Sequence, residues 1–538
     1  MIYALKHPSL FRPSSRPTSP SPTSSPHLDS AMGVDRARPH NRLSFNSFRR
    51  PSSLTPAASP SPAPLVQDGS YLEALSLKLS EAVSKALAQP TGPAAPNEMV
   101  GVKRPIPAGR GEALGLLIAS ELKATRDNAH LHRAILRSLH RPLSVLLSNL
   151  SALLLPLLSS PAFMQPLAPT VQAPTLNATQ LHALAAANFA GELLSSFDNM
   201  ALGLDNDARG DGLKPIREGL ASLIGRVVNP LIGGIKSELM PLIEALENPV
   251  SVTVHKGATK AGLVLHPSII TLQSLMPIYA RALARYTTAL PSQATLATFL
   301  ISVVWRALVA LSHRRYILPS PPTSPPSSPQ MMPALSKRQR ASSGNTPPIT
   351  PPAGRFTLKL PPSRPPSPPS IVVTSTAAAD ARALHELMLL LPRPPADSEA
   401  TKVAREAVDE AFADLKALAP LLEAADNPFF NVNKSADEIS VEIEGLTADL
   451  PTLIALPVLL RMQSLGRWSI GPAATVASII DIPEDEYRKG CLAGFGRAEE
   501  YGLVVGQNVL HAIHAQPNLD PRNCLSSWLE ARVGSPDH

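Results

Sequence analysis

Cysteine is nearly absent: Cys491 and Cys524 are the two thiols in 538 residues. Two thiols cannot build a disulfide framework, and their scarcity fits a reducing compartment. Charge is also sparse, at 17% of residues against about a quarter in an average globular chain. The signatures of several chemistries are missing. No glycine-rich turn ends in Gly-Lys-Ser/Thr, which excludes a P-loop, and no Gly-x-Ser-x-Gly supplies a nucleophile elbow. The most glycine-dense stretch, "GCLAGFG" from Gly490 to Gly496, lacks the GxGxxG order and a preceding strand. It reads as a helix break or a close helix contact. His511 and His514 fall about one turn apart on a helix, with Cys524 further on. No His-Glu-x-x-His and no fourth ligand accompany them, so no metal centre is read. No catalytic residue and no cofactor is assigned. The N-terminal "MIYALKHPSLFR" has no apolar h-region and so no secretory signal.

Proline is the residue in excess. The chain holds 59, about twice the ordinary share of roughly 5%. Each one fixes φ and removes a backbone donor, so dense tracts exclude helices and central strands. The prolines are bunched, and they divide the chain. Residues 1–67, with "PSSRPTSPSPTSSPHL" and Arg36, Arg38, Arg42, Arg49 and Arg50, form a Ser/Pro/Arg-rich tail expected to be disordered. Residues 68–316 form an N-terminal helical region, 317–372 a disordered Pro-rich linker, and 373–535 a C-terminal helical region. The fold class is mainly α, with at most a minor β-hairpin or short strands. The linker far exceeds an ordinary connection of about 4–6 residues, so the two helical regions are expected to be separate compact bodies.

Leucine at helical spacing marks the folded parts. Leu72, Leu75, Leu79, Val83 and Leu87 share one face after Ser70 and Glu73, whose spacing is that of a capping box. Ile216, Leu220, Leu223, Val227, Leu231, Ile235, Leu239, Leu242 and Leu246 keep a helical period across Pro230 and Pro241, where a kink or break is expected. "VSVTV" at 250–254 alternates like a strand, with "GLVL" at 262–265 as its partner, and "EISVEIEG" alternates Ile439, Val441 and Ile443 with polar residues. "ATVASIIDIPEDEYRKGCLAGFGRAEEYGLVV" resembles a helix-turn-helix or winged-helix core in outline. Its second helix opens with Glu484, Asp485 and Glu486 rather than with cations for phosphate. A helical hairpin packed in the core is the reading, and nucleic acid is not an expected partner.

Residues 142–191 contain no Asp, Glu, Lys or Arg before Gly191. The run "LSVLLSNLSALLLPLL" falls short of the about 20 apolar residues of a membrane span, and the apolar stretch 294–312 carries Arg306, which is costly in a bilayer. Both are read as core helices, with membrane association the less favoured reading. Strings such as Leu143 to Leu147 and Leu456 to Leu460 are read as core too.

Control motifs collect in the linker, around "KRQRASSGNTPPITPP". Lys337, Arg338 and Arg340 match a simple nuclear import signal. Arg338 and Arg340 precede Ser342 and Ser343 at the spacing of basophilic kinase sites, and Arg49 and Arg50 precede Ser52 likewise. Ser320, Ser324, Ser328, Thr346, Thr350 and Ser367 each precede proline, the minimal proline-directed site. Arg355, Leu358 and Leu360 give a basic residue followed by alternating apolar side chains, the pattern of a kinase-docking peptide. The expectation is a phosphorylation-regulated scaffold or adaptor, cytoplasmic and/or nuclear, with protein partners that include kinases and an import receptor. A second class accounts for the same composition: a mitochondrial or membrane-associated helical protein whose N-terminal targeting segment is removed.

Overall fold

Leucine spaced for helices yields helices almost throughout. The computed structural model describes residues 65–91, 99–166, 176–204, 212–254, 264–315, 371–427, 430, 434–465, 475–515 and 524–534. In chain order the helices are α1 (Leu65–Leu87), α2 (Arg110–Ala124), α3 (Ala129–Leu158), α4 (Ala178–Asn199), α5 (Lys214–Glu244), α6 (Pro267–Tyr286), α7 (Leu290–Ser312) and α8 (Ala377–Met388). They continue with α9 (Glu399–Asp426), α10 (Ala436–Thr447), α11 (Thr452–Leu465), α12 (Val476–Ile479), α13 (Glu484–Gly490), α14 (Phe495–His514) and α15 (Cys524–Gly534). Two four-residue strands, β1 (Ser251–Val254) and β2 (Ile371–Thr374), pair antiparallel, Ser251 opposite Thr374 and Val254 opposite Ile371.

Several local expectations change. β1 takes its partner from beyond residue 370 rather than from 262–265, where Val264 and Leu265 belong to no strand. The "EISVEIEG" stretch is helix α10 rather than a strand. Ser435 Oγ accepts from the Glu438 amide at 3.3 Å and Glu438 Oε2 accepts from the Ser435 amide at 2.8 Å, a full capping box. Ile439 and Ile443, four apart, go inward while Val441 stays 70% exposed, so the helical period decides over a short alternation. In α1 the helix starts at Leu65, which places Ser70 inside it rather than at its cap. Helix α5 runs unbroken through Pro230 and Pro241. The residues four before each proline, Arg226 and Ser237, are not buried, which puts the carbonyls that lose a partner on the solvent side.

Packing follows a relay: α2 lies on α4, α4 on α5, α5 on α7, α7 on α9 and α9 on α8. Helix α7 is buried almost all round, on one side by Leu300, Val304, Leu308 and Leu311 and elsewhere by Phe299, Trp305 and Val309. Its one polar stripe, Thr298, Ser302 and Arg306, stays on the outside, and an apolar surface this wide needs neighbours on several sides. It finds α5 from the region before residue 316 and α9 and α11 from the region after 370. The buried apolar residues of both regions form one cluster. Helices from both sides of the 316–370 interval thus meet in one buried cluster around α7.

Candidate functional site

The residues nominated for control lie outside the described residues: Ser52, Ser320, Ser324, Ser328, Ser342, Ser343, Thr346, Thr350 and Ser367, the cluster Lys337, Arg338 and Arg340, and the docking pattern Arg355, Leu358 and Leu360. What is described is the pair of points between which most of them run. The described residues stop at Arg315 and resume at Ile371.

Both points converge on one buried node. Arg314, just past the end of α7, donates Nη1 to Asp380 Oδ2 at 2.5 Å; its Nη2 donates to Ser375 Oγ at 2.8 Å and to the Ser375 carbonyl at 3.3 Å. The Asp380 side chain is 0% exposed and that of Arg314 3%. Asp380 sits in the first turn of α8, where the helix dipole favours an anion, and Thr376 caps that helix by accepting from the Ala379 amide. The second carboxylate oxygen of Asp380 accepts from the His266 amide at 2.8 Å. His266 in turn caps α6: its Nδ1 accepts from the Ser268 amide at 3.1 Å, so the proton sits on Nε2, which donates to the Asn248 carbonyl at 3.1 Å. Burial holds the imidazole below its usual value of 6.5, consistent with that neutral form. A buried charge needs a partner and further hydrogen bonds, and this pair has both.

Contacts around the node extend the grip. The Arg315 amide donates to the Glu247 carbonyl at 3.2 Å. Arg488 on α13 forks onto the Glu247 carboxylate at 2.7 and 2.8 Å and holds Glu484 at 2.7 Å. Trp305 donates its indole N–H to the Leu492 carbonyl at 2.8 Å and lies 4.6 Å, centre to centre, from the Phe495 ring. The "GCLAGFG" stretch is thus a helix break between α13 and α14 that receives a tryptophan. Nearby, the His313 and Tyr487 rings lie 6.4 Å apart, with Tyr487 buried, and burial pushes the Cys491 thiol up to about 11, so it is protonated and unreactive at neutral pH.

The arrangement fixes geometry; it offers no nucleophile beside a base. Arg314 and Asp380 were not singled out in the sequence. The available signal was the lone acid in the apolar run "AAADARAL" and the arginine pair closing an otherwise apolar helix; a charge in such a place demands a partner. Among the described residues, no three of His, Cys, Asp and Glu gather in metal-binding geometry, and His514 faces Glu530 at 3.6 Å. The element resembling a helix-turn-helix is three helices, α12, α13 and α14, whose Val476, Tyr487, Val505 and Val509 are buried. Two surface clefts of about 340 and 230 Å³ lie between α4 and α5, and between α5 and α6; the second sets Tyr279 against the Glu238 carboxylate.

No family model matches the chain, and no curated protein matches it. Among solved structures it is similar to the C-terminal domain of the exocyst subunit Sec6p, with a TM-score of 0.36 and 9% sequence identity, over 88% of this chain and 98% of that one.

Proposed function

We propose that this chain is a helical scaffold or adaptor whose 316–370 segment is a phosphorylation-regulated control element. The observation that supports it is the buried Arg314–Asp380 node, which holds both ends of that segment on one folded body. A segment tethered at two adjacent points can present kinase sites without unfolding its carrier, because closing a long stretch of chain costs little more than closing a short one. Phosphates at Ser342, Ser343 and Thr346 each add roughly −1.5 to −2 charges. Placed beside Lys337, Arg338 and Arg340, they cancel the positive charge that an import receptor reads. On this reading the partners are kinases and an import receptor, and the chain distributes between cytoplasm and nucleus according to its phosphorylation.

Phosphopeptide mapping of the full chain from cells, combined with imaging of the Lys337→Ala, Arg338→Ala, Arg340→Ala triple variant, tests the proposal. Phosphate on the linker serines and a reduced nuclear signal in the variant are expected. A linker without phosphate in every condition, or a distribution the triple variant leaves unchanged, overturns it.

A further inference from the structure

Helix α3 is the long helix that the fold leaves half open. Its inner face, Ile135, Leu136, Leu139, Leu143, Leu146, Leu150 and Leu154, is buried, and it packs on α1, α4 and α5. Its outer face is one continuous exposed stripe with two unlike halves. The first half carries Arg133, Arg137 and Arg141 with His130 and His140, all exposed. No ion pair among the described residues engages these arginines. The second half has no charge: Val145 is 50% exposed and Leu155 60%, with Ser148, Ala152 and Ser159 between and after them. Beyond the helix, Met164 is 58% exposed. From Asn128 to Gly191 the sequence contains no Asp or Glu.

We infer that the exposed stripe of α3 is a docking surface for an anionic lipid membrane. Three unpaired arginines in a stretch without acids complement a negatively charged surface, where each cation strengthens binding roughly fivefold. A helix with cations at one end of its outer face and apolar side chains at the other lies in the interfacial plane, guanidinium groups among headgroups and Leu155 at the acyl boundary. An acidic peptide would account for the arginines but not for the uncharged turns beside them. Residues of α3 line neither of the two clefts described above, and a flat lipid surface needs no pocket. The inner face stays in the protein core, so the helix lies on the bilayer and does not cross it. This inference is independent of the linker's regulatory role.

Co-sedimentation of the full chain with phosphatidylcholine vesicles, with and without about a third phosphatidylserine, tests it. Binding to the anionic vesicles alone is expected, weakening at high salt and falling at least tenfold in Arg133→Glu, Arg137→Glu, Arg141→Glu. Those three side chains are exposed, and an unchanged helical circular-dichroism signal shows that the variant is folded. In Leu155→Trp, the added emission should shift to the blue on anionic vesicles. Equal binding to neutral vesicles overturns the inference. So does binding that survives the charge reversal, which would belong to the arginine-rich N-terminal tail, and so does an added emission in Leu155→Trp that is indifferent to lipid. Saturable binding of a polyglutamate peptide with none to vesicles overturns it in favour of an acidic protein partner.

Discussion

A carboxylate sealed from water at neutral pH must be compensated or neutral, and this chain shows both solutions. Asp380 is compensated by Arg314 and the His266 amide. Asp380→Asn leaves the Arg314 guanidinium without its counter-charge, a loss of the order of 3–5 kcal/mol for a broken buried pair; urea titration of the variant should show a lower midpoint with a similar slope. Asp414 shifts its protonation toward the neutral form instead. It is buried on α9, and burial first, then the charges of Glu410, Asp449 and Glu499, push it up to about 7 from the usual 3.8. A carboxyl raised in the folded state favours folding below its unfolded value, and that contribution is lost as pH climbs through 7. Asp414→Asn should therefore melt several degrees higher than the parent at pH 8, with the gap narrowing as pH falls below 7 and closing only near 3.8, the unfolded value. His266 and His313 act in the opposite sense. Burial lowers both from 6.5, so their contribution is present above 6.5 and fades as pH falls below it. A thermal-melt series from pH 8 to 5 separates the two slopes.

At the scale of elements, close approach and capping explain what periodicity alone does not. Helices α2 and α4 meet through Gly111 and Gly115: a Cβ at Gly115 would stand 2.0 Å from Ser196 Oγ, and one at Gly111 2.3 Å from the Phe189 carbonyl oxygen. Glu192 on α4 then reaches the open end of α2, accepting from the Gly109 and Gly111 amides at 2.8 and 2.9 Å, where free amides and the dipole favour an anion. Gly115→Val should force the two helices apart and cost about 1–3 kcal/mol, seen as a lower melting temperature; an unchanged melt would mean the contact is loose. The helices were legible because leucine stripes such as 216–246 are long. Short stretches were not: the brief alternation in "EISVEIEG" is outweighed by the capping box and the i,i+4 isoleucines. The node was legible only as isolated charges, since nothing in the sequence pairs Arg314 with Asp380 across 66 positions.

Across the whole molecule, proline tracts mark interruptions of the chain but not partitions of the core. Composition places the interruption between 316 and 370; it carries no information on whether α7 turns its second apolar side to α9, which it does. A single proteolytic cut in 316–370 should then leave two fragments that stay together through size-exclusion chromatography without denaturant, joined by the α7–α9 contact, the Trp305–Leu492 hydrogen bond and the Arg488–Glu247 fork. Fragments that separate would show that the shared core is too weak to hold them.

Because Ser375 and Asp380 meet Arg314 at a fixed staple, the span between them is released from any duty to measure distance. Doubling its length would cost only about 0.6 kcal/mol. An insertion of flexible sequence between Tyr316 and Ser370 is therefore expected to leave the melting temperature nearly unchanged, whereas removing the arginine or the aspartate at the staple is expected to lower it.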